Sequence, residues 1–235
     1  MPELSPVVVL AFGAHPDDVE IGVGGILRRL TAAGVPVGVA DLSRGERSNN
    51  GTPEERAAEA RAAAAVLGLA WRANLGLPDT GIGGREQTEA LVAVLRQARP
   101  RLVLAPCPED RHPDHRGAGE LAAAACFLSG VAAFGAGGAA HRPARLAYYQ
   151  LNARRLPDWV VDVSDYFEDK RRALQAHRSQ FVQEAGRRPT SLNGAFLEEL
   201  AARDRYLGSL VGVTYGEGLY SSEAPERLDP EAWCG

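Results

Sequence analysis

Two short clusters in this sequence pair imidazoles with carboxylates: His15-Pro16-Asp17-Asp18 and His112-Pro113-Asp114-His115. Neutral imidazole nitrogens and carboxylate oxygens are ligands that zinc and ferrous iron accept. A catalytic zinc commonly takes three protein ligands and leaves one position for water. His15, Asp18 and His115 form the best such set here. Adjacent aspartates do not easily share one metal position, so Asp17 is left as a general base toward water. Asp114 is placed to orient an imidazole from behind, as carboxylate partners of histidine commonly do. His112 remains as electrophile or proton donor on the opposite side of the reacting carbonyl. The chemistry such a set fits is metal-assisted hydrolysis of an amide or ester.

Each cluster alone has an equally good plain explanation. His-Pro after a strand makes a turn, and Asp17-Asp18 before a helix can cap it and favour the positive end of its dipole. What raises the pair above those explanations is placement. The first cluster follows the apolar run Val7-Val8-Val9-Leu10, and the second follows Leu102-Val103-Leu104-Ala105. Both therefore lie at the carboxyl ends of buried strands, where open α/β sheets bind ligands.

The elements around them alternate. Strands are expected over Val7 to Gly13, Val35 to Leu42, Ala70 to Leu75 and Arg101 to Ala105. Helices are expected over Val19 to Ala33, from Thr52-Pro53-Glu54-Glu55 to Leu67, over Arg85 to Arg99, and over His115 to Leu128. Thr52 to Glu55 is a capping box with Pro at the first helical position, and Gly34 and Gly68 stand where helices end. This pattern predicts an α/β, Rossmann-like fold with a mainly parallel sheet flanked by helices. In a strand order 3-2-1-4, strands one and four are neighbours and both clusters converge. The tail is an irregular α+β extension. A Gly/Ala-rich loop spans Ala132 to Ala140, strands Arg145 to Leu151 and Trp159 to Val163, and helices Tyr166 to His177 and 191 to 207, capped by Ser191. No repeat or linker divides residues 1–235, which are expected to form one domain.

At 235 residues, 45% hydrophobic and 24% charged, the chain suits a single large core. A formal net charge of −4 gives no support for nucleic-acid binding. No apolar run approaches the roughly 18 to 20 residues that span a bilayer. Met1 to Pro6 lacks a basic region ahead of its apolar run, so a cytoplasmic protein is expected. Cys107, Cys126 and Cys234 match no zinc spacing, and their odd number argues against a disulfide framework. Cys107 near the second cluster reads as a buried loop thiol rather than a ligand or nucleophile. Gly22-Val23-Gly24-Gly25 falls inside a helix with the wrong spacing for a dinucleotide fingerprint, so the small residues are read as close helix–sheet packing.

With these residues in place, the pair of clusters resembles the LmbE/PIG-L family of metal-dependent N-acetylglucosaminyl deacetylases. Gly13 to Gly22, Asn74 to Asp79, Ala176 to Gln180 and Tyr215-Gly216-Glu217 further resemble its bacillithiol-pathway branch. The resemblance implies a Rossmann-like fold and hydrolysis of the acetamide of N-acetylglucosaminyl-malate to glucosaminyl-malate. It implies one divalent ion per chain on His15, Asp18 and His115, and two imidazoles with one carboxylate suit zinc first and ferrous iron second. Asp17 is then the base and His112 the oxyanion partner, in agreement with the chemical reading. A homo-oligomer, with a hexamer as the family's pattern, acting on a small-molecule sugar is also implied. The loop Asp41 to Thr52 departs from the family, which tends to Thr-Xaa-Gly-Glu with a small residue where Arg47 stands.

A malate group carries two carboxylates, which guanidinium groups bind bidentately. Arg56, in the first turns of the capped helix, and Arg111, directly before His112, are the candidate substrate residues. Arg44, Arg47 and Arg187 read as surface charges. Asn50 and Gly51 are candidates for sugar hydroxyls, His177 is as much a structural group as a substrate contact, and His141 is expected to be exposed and uninvolved. Two other functions compete: an amidase on thiol-sugar S-conjugates with the same catalytic residues, and a non-catalytic sugar- or nucleotide-binding module. A binder has no need of a base, so the full set of His15, Asp17, Asp18, His112 and His115 speaks against the module.

Overall fold

The computed structural model describes residues 3–152 and 155–221. Cys234 lies outside them. Along the chain run β1 (Val9–Gly13), α1 (Asp18–Ala32), β2 (Val37–Ser43), α2 (Pro53–Leu67), β3 (Trp71–Leu77), α3 (Arg85–Ala98), β4 (Leu102–Pro106) and α4 (Pro113–Ser129). They are followed by β5 (Arg145–Tyr149), β6 (Trp159–Asp162), α5 (Phe167–Ala176), the one-turn α6 (Arg178–Phe181), α7 (Phe196–Leu210) and β7 (Gly216–Ser221).

The strands form one sheet in the order β3-β2-β1-β4-β5-β7-β6. The pairs from β3 through β5 are parallel, and β7 runs antiparallel to both β5 and β6. Alternation along β1 splits its side chains between two faces. Leu10 and Phe12 join Leu91, Leu95, Leu121 and Ala122 of α3 and α4. Val9 and Ala11 join Val19, Ile26 and Leu27 of α1. With helices on both faces, β1 and β2 are buried at every residue. The expected order 3-2-1-4 is met, so the loops after β1 and β4 stand side by side.

Local signals fixed the ends of α2 well. Thr52 and Glu55 make the reciprocal capping box, and Gly68 turns left-handed at φ 69°. The last helix differs from expectation. It begins at Phe196, not at residue 191, because the polar residues before it bond among themselves: Thr190 Oγ1 accepts from Leu192 N, and Asn193 Oδ1 accepts from Thr190 N. Neither α6 nor β7 is visible in the sequence pattern. His141 is half-buried rather than exposed; its Nε2–H donates to Pro100 O at 2.7 Å and its backbone N–H to Ser129 O at 2.9 Å.

Helix α1 is broken once, at Val23 (φ −141°, ψ 17°). In an unbroken helix the N–H groups of Gly25 and Ile26 would reach back to Ile21 and Gly22. Instead both donate to the Glu217 carboxylate, at 2.9 and 2.7 Å, and Arg203 Nη2 donates to the freed Ile21 carbonyl at 2.8 Å. The buried break therefore leaves these groups paired. Gly22 and Gly25 do serve close packing, since a Cβ on Gly22 would fall 2.1 Å from the Tyr149 ring and one on Gly25 2.8 Å from Val163.

Candidate metal and catalytic site

The loop from His15 to Asp17 leaves β1 and enters α1 at Asp18, while His112 is the N-cap of α4 and His115 sits in its first turn. Because β1 and β4 pair directly, these side chains meet over the sheet's carboxyl edge. His15 Nδ1 lies 3.4 Å from Asp18 Oδ2, and His115 Nε2 lies 3.3 Å from Asp18 Oδ1. One ligand atom from each of His15, Asp18 and His115 falls within 4.8 Å of the others. His15, His112 and Asp114 satisfy the same distance.

Donor chemistry separates the two sets. The Asp114 carboxylate already accepts Thr80 N at 2.8 Å and Ile82 N at 3.4 Å, and His112 Nδ1 accepts Asp114 N at 3.2 Å. The carboxylate of Asp18 accepts only the His15 amide besides its imidazole neighbours, among the described residues. His15, Asp18 and His115 are thus the free donors, two neutral-imidazole positions and one carboxylate, and they fit a divalent ion. With protons in place of an ion, the carboxylates around the rings hold His15 well above the ordinary imidazole range and His115 up at about 9, against the opposing effect of burial.

Asp17 is 4% exposed and lines the same cavity. Its backbone is at φ 141°, ψ −24°, a region rarely occupied by a side-chain-bearing residue, and its carboxylate caps no helical N–H. The plain capping explanation therefore does not hold for Asp17. Burial raises its carboxyl pKa, and the charge of Arg56 opposes that rise. Arg56 Nη2 donates to Asp17 Oδ2 at 3.1 Å and to Pro16 O at 2.8 Å.

Since His112 Nδ1 accepts the Asp114 amide, the proton of its neutral ring belongs on Nε2. Burial lowers the His112 pKa, and the neighbouring His115 and His15 lower it further. A neutral ring with Nε2–H free is a hydrogen-bond donor to developing negative charge. His112 stacks on His115 with centroids 4.5 Å apart. Asp114 Oδ2 stands 3.3 Å from His15 Nε2, the imidazole it backs.

The cavity over these groups has a volume of about 580 Å³. Arg47, Ser48, Asn49, Leu151, Leu192 and Phe196 line it, and both Arg56 and Arg111 reach its wall. Of the two candidate substrate arginines, Arg111 is exposed and bonds Asn152 at 3.4 Å, whereas Arg56 is buried against Asp17. Asn50 and Gly51 are not part of the wall; the Asn50 side chain bonds Arg188 N and O, and Gly51 (φ 80°) packs on Ser179. Arg44 lines a separate cavity of about 250 Å³ with Asp41 and Arg61, and Arg187 pairs with Glu55. His177 is fully buried behind the site, 3.6 Å from Glu20. Cys107 is buried in the core, and burial raises its thiol pKa.

Two aspartates that the sequence pattern does not single out enter here. Asp79 Oδ1 lies 3.4 Å from His15 Nε2, and Asp110 Oδ1 lies 3.2 Å from His115 Nδ1. Asp79 closes the Asn74 to Asp79 stretch and Asp110 stands two residues before His112, but neither carries a local pattern that assigns it a partner.

Comparison with known proteins finds a family and several relatives. The family described as PIG-L: GlcNAc-PI de-N-acetylase matches residues 10–126. Diacetylchitobiose deacetylase of Thermococcus kodakarensis is 33% identical over 90% of this chain and 81% of its own. A probable N-acetyl-alpha-D-glucosaminyl L-malate deacetylase 2 of Bacillus cereus is 28% identical over 73% of this chain and 83% of its own. Among solved structures, the conserved protein TT1542 from Thermus thermophilus superposes with a TM-score of 0.87 at 39% identity, covering 95% of this chain and 98% of that one.

Proposed function

Because this chain belongs to the PIG-L family, that of GlcNAc-PI de-N-acetylase, we propose that it is a metal-dependent hydrolase of the acetamide in N-acetylglucosaminyl conjugates. The observation that carries the reading is the convergence of His15, Asp18 and His115 with Asp17 and His112 on one cavity. His15, Asp18 and His115 would hold a divalent ion, zinc first and ferrous iron second, which would supply Lewis acidity and lower the pKa of water toward neutrality. Asp17 takes the proton of the attacking water, its carboxylate being free of helix capping. His112 Nε2–H donates to the carbonyl oxygen as negative charge grows there, and Asp114 fixes that tautomer through its backbone N–H. The proton held by Asp17 then passes to the departing sugar nitrogen, which leaves as the amine, and acetate is released.

For the aglycone, Arg47 and Arg111 on the cavity wall support an acidic group, with N-acetylglucosaminyl-malate first. The Thermococcus relative is a diacetylchitobiose deacetylase, so a neutral disaccharide is the competing substrate. The proposal extends to a cytoplasmic homo-oligomer, a hexamer on the family's pattern, working on a small-molecule sugar. No helix among the described residues is long and apolar enough to cross a membrane.

The test is amine release from N-acetylglucosaminyl-malate, diacetylchitobiose and methyl N-acetylglucosaminide after metal removal and after zinc or iron is restored. Asp17→Asn should keep its metal and lose about 10²–10⁴-fold in turnover. A rate near wild type would remove Asp17 as the base, and metal-independent turnover would overturn the mechanism. Turnover favouring diacetylchitobiose would replace malate with a sugar aglycone.

A further inference from the structure

The Asp110 carboxylate, 2% exposed, is the meeting point of three parts of the site. Its Oδ1 accepts the His112 backbone N–H at 2.8 Å and lies 3.2 Å from His115 Nδ1. Oδ2 accepts the backbone N–H of Asn152 at 2.7 Å, just beyond β5, and Oδ1 takes the Asn152 amide at 3.2 Å. One side chain therefore joins the β4–α4 loop, the α4 histidines and the wall of the cavity.

We propose that Asp110 is the positioning residue of the metal site: it holds the proton of His115 on Nδ1 and so leaves the Nε2 lone pair facing Asp18 and His15. This inference rests on His15, Asp18 and His115 as the metal ligands. A neutral imidazole can carry its proton on either nitrogen, and which one is free is set by the partner of the other. His115 has two competing neighbours on its Nδ1 side. The Asn152 amide, at 3.5 Å, would donate and pull the proton to Nε2, where it would block the ligand position. The Asp110 carboxylate accepts only, lies nearer, and itself engages the Asn152 amide. The charge of Asp110 also makes the ring a more basic ligand.

The same carboxylate sets where His112 starts α4, through the backbone bond to its N–H. His112 and His115 are thus held in register by one group, not by the helix alone. Asp79 and Asp114 do the corresponding work for His15, whose Nε2 they face from 3.4 and 3.3 Å while Nδ1 faces Asp18. Each imidazole of the ligand set is thus faced by a carboxylate on the nitrogen that does not face Asp18.

The experiment is a chelator-competition titration of zinc on wild type, Asp110→Asn, Asp110→Ala and His115→Ala, alongside metal-free thermal unfolding. Nitrogen-15 imidazole spectra of the zinc-loaded proteins read the His115 tautomer. Wild type should show His115 protonated at Nδ1. Asp110→Ala should weaken zinc binding by about 10–100-fold, the usual cost of losing a carboxylate behind a metal-bound histidine. Asp110→Asn, which keeps an acceptor and loses the charge, should fall between the two. Zinc affinity and tautomer unchanged in both variants would overturn the role of Asp110. Equal weakening accompanied by matching losses of metal-free stability in both would also overturn it, in favour of a structural role. Wild type and His115→Ala binding zinc alike would instead mean that the ligand set itself is wrong.

Discussion

Arg56 and Arg111, both candidate substrate residues from the sequence, are opposite in situation. Arg56 is 3% exposed and pairs with a buried carboxylate, so removing it leaves Asp17 uncompensated. Arg56→Ala should therefore lower stability by about 3–5 kcal/mol, read by denaturant unfolding. Arg111→Ala should leave the unfolding midpoint unchanged and raise KM for an anionic aglycone more than for a neutral methyl glycoside. Equal KM effects on both would remove Arg111 as an acid receptor. The site residues legible from sequence are those grouped within four positions: His15 to Asp18, and His112 to His115. Asp79 and Asp110 are not, because their partners are set by loops from different strands. The direction of the Arg56 side chain is not legible either, since a helix start gives its position and not the buried charge it meets.

The elements divide in the same way. The capping box and glycine stop of α2 are readable because both are local. The start of α7 is not, because Ser191 looks like a cap while the actual turn is closed by Thr190 and Asn193. The break in α1 depends on Glu217 and Arg203, far along the chain, and no local pattern announces it. Gly22 shows which influence wins. Helix propensity alone would favour Gly22→Ala by about 0.5–1 kcal/mol. The added Cβ would meet the Tyr149 ring at 2.1 Å, and Tyr149 is pinned by its hydroxyl to Phe12 O at 2.7 Å. Gly22→Ala should accordingly destabilise by about 1–3 kcal/mol or more in a chemical denaturation series. A stabilised variant would show that α1 can shift away from β5.

At the scale of the molecule, the notable property is charge inside the fold. Arg72 of β3 binds Asp41 of β2 and Glu20 of α1, with side chains 5%, 2% and 0% exposed. Lys170 of α5 binds Asp204 of α7 and Glu217 of β7 at 2.6 Å each, all fully buried. Burial raises the Glu20 pKa, but Arg72 and then His177 outweigh it, and the group falls from 4.5 to about 2. A carboxyl depressed in the folded state contributes stability above its unfolded pKa and loses it as pH falls through the folded one. The contribution of Glu20 should be fully present above about pH 4.5 and gone near pH 2, on the order of 3 kcal/mol. Acid unfolding of wild type and Glu20→Gln, followed by circular dichroism, checks it. The variant should be less stable at neutral pH and shallower in its acid dependence, whereas parallel curves would mean that Glu20 is not depressed. The sheet order is legible from strand and helix alternation, but these cross-layer pairs are not.

The break in α1 also gives the molecule an order in time. The loop bearing His15 to Asp18 is made well before Glu217, and until Glu217 follows, the helix it enters lacks partners for Gly25 and Ile26. Arg203, which takes the Ile21 carbonyl, arrives almost as late. The half of the candidate site on β1 and α1 is thus completed only after the strand that carries Glu217. A nascent chain stalled before β7 would carry His15, Asp18 and His115 and still lack the finished helix behind them.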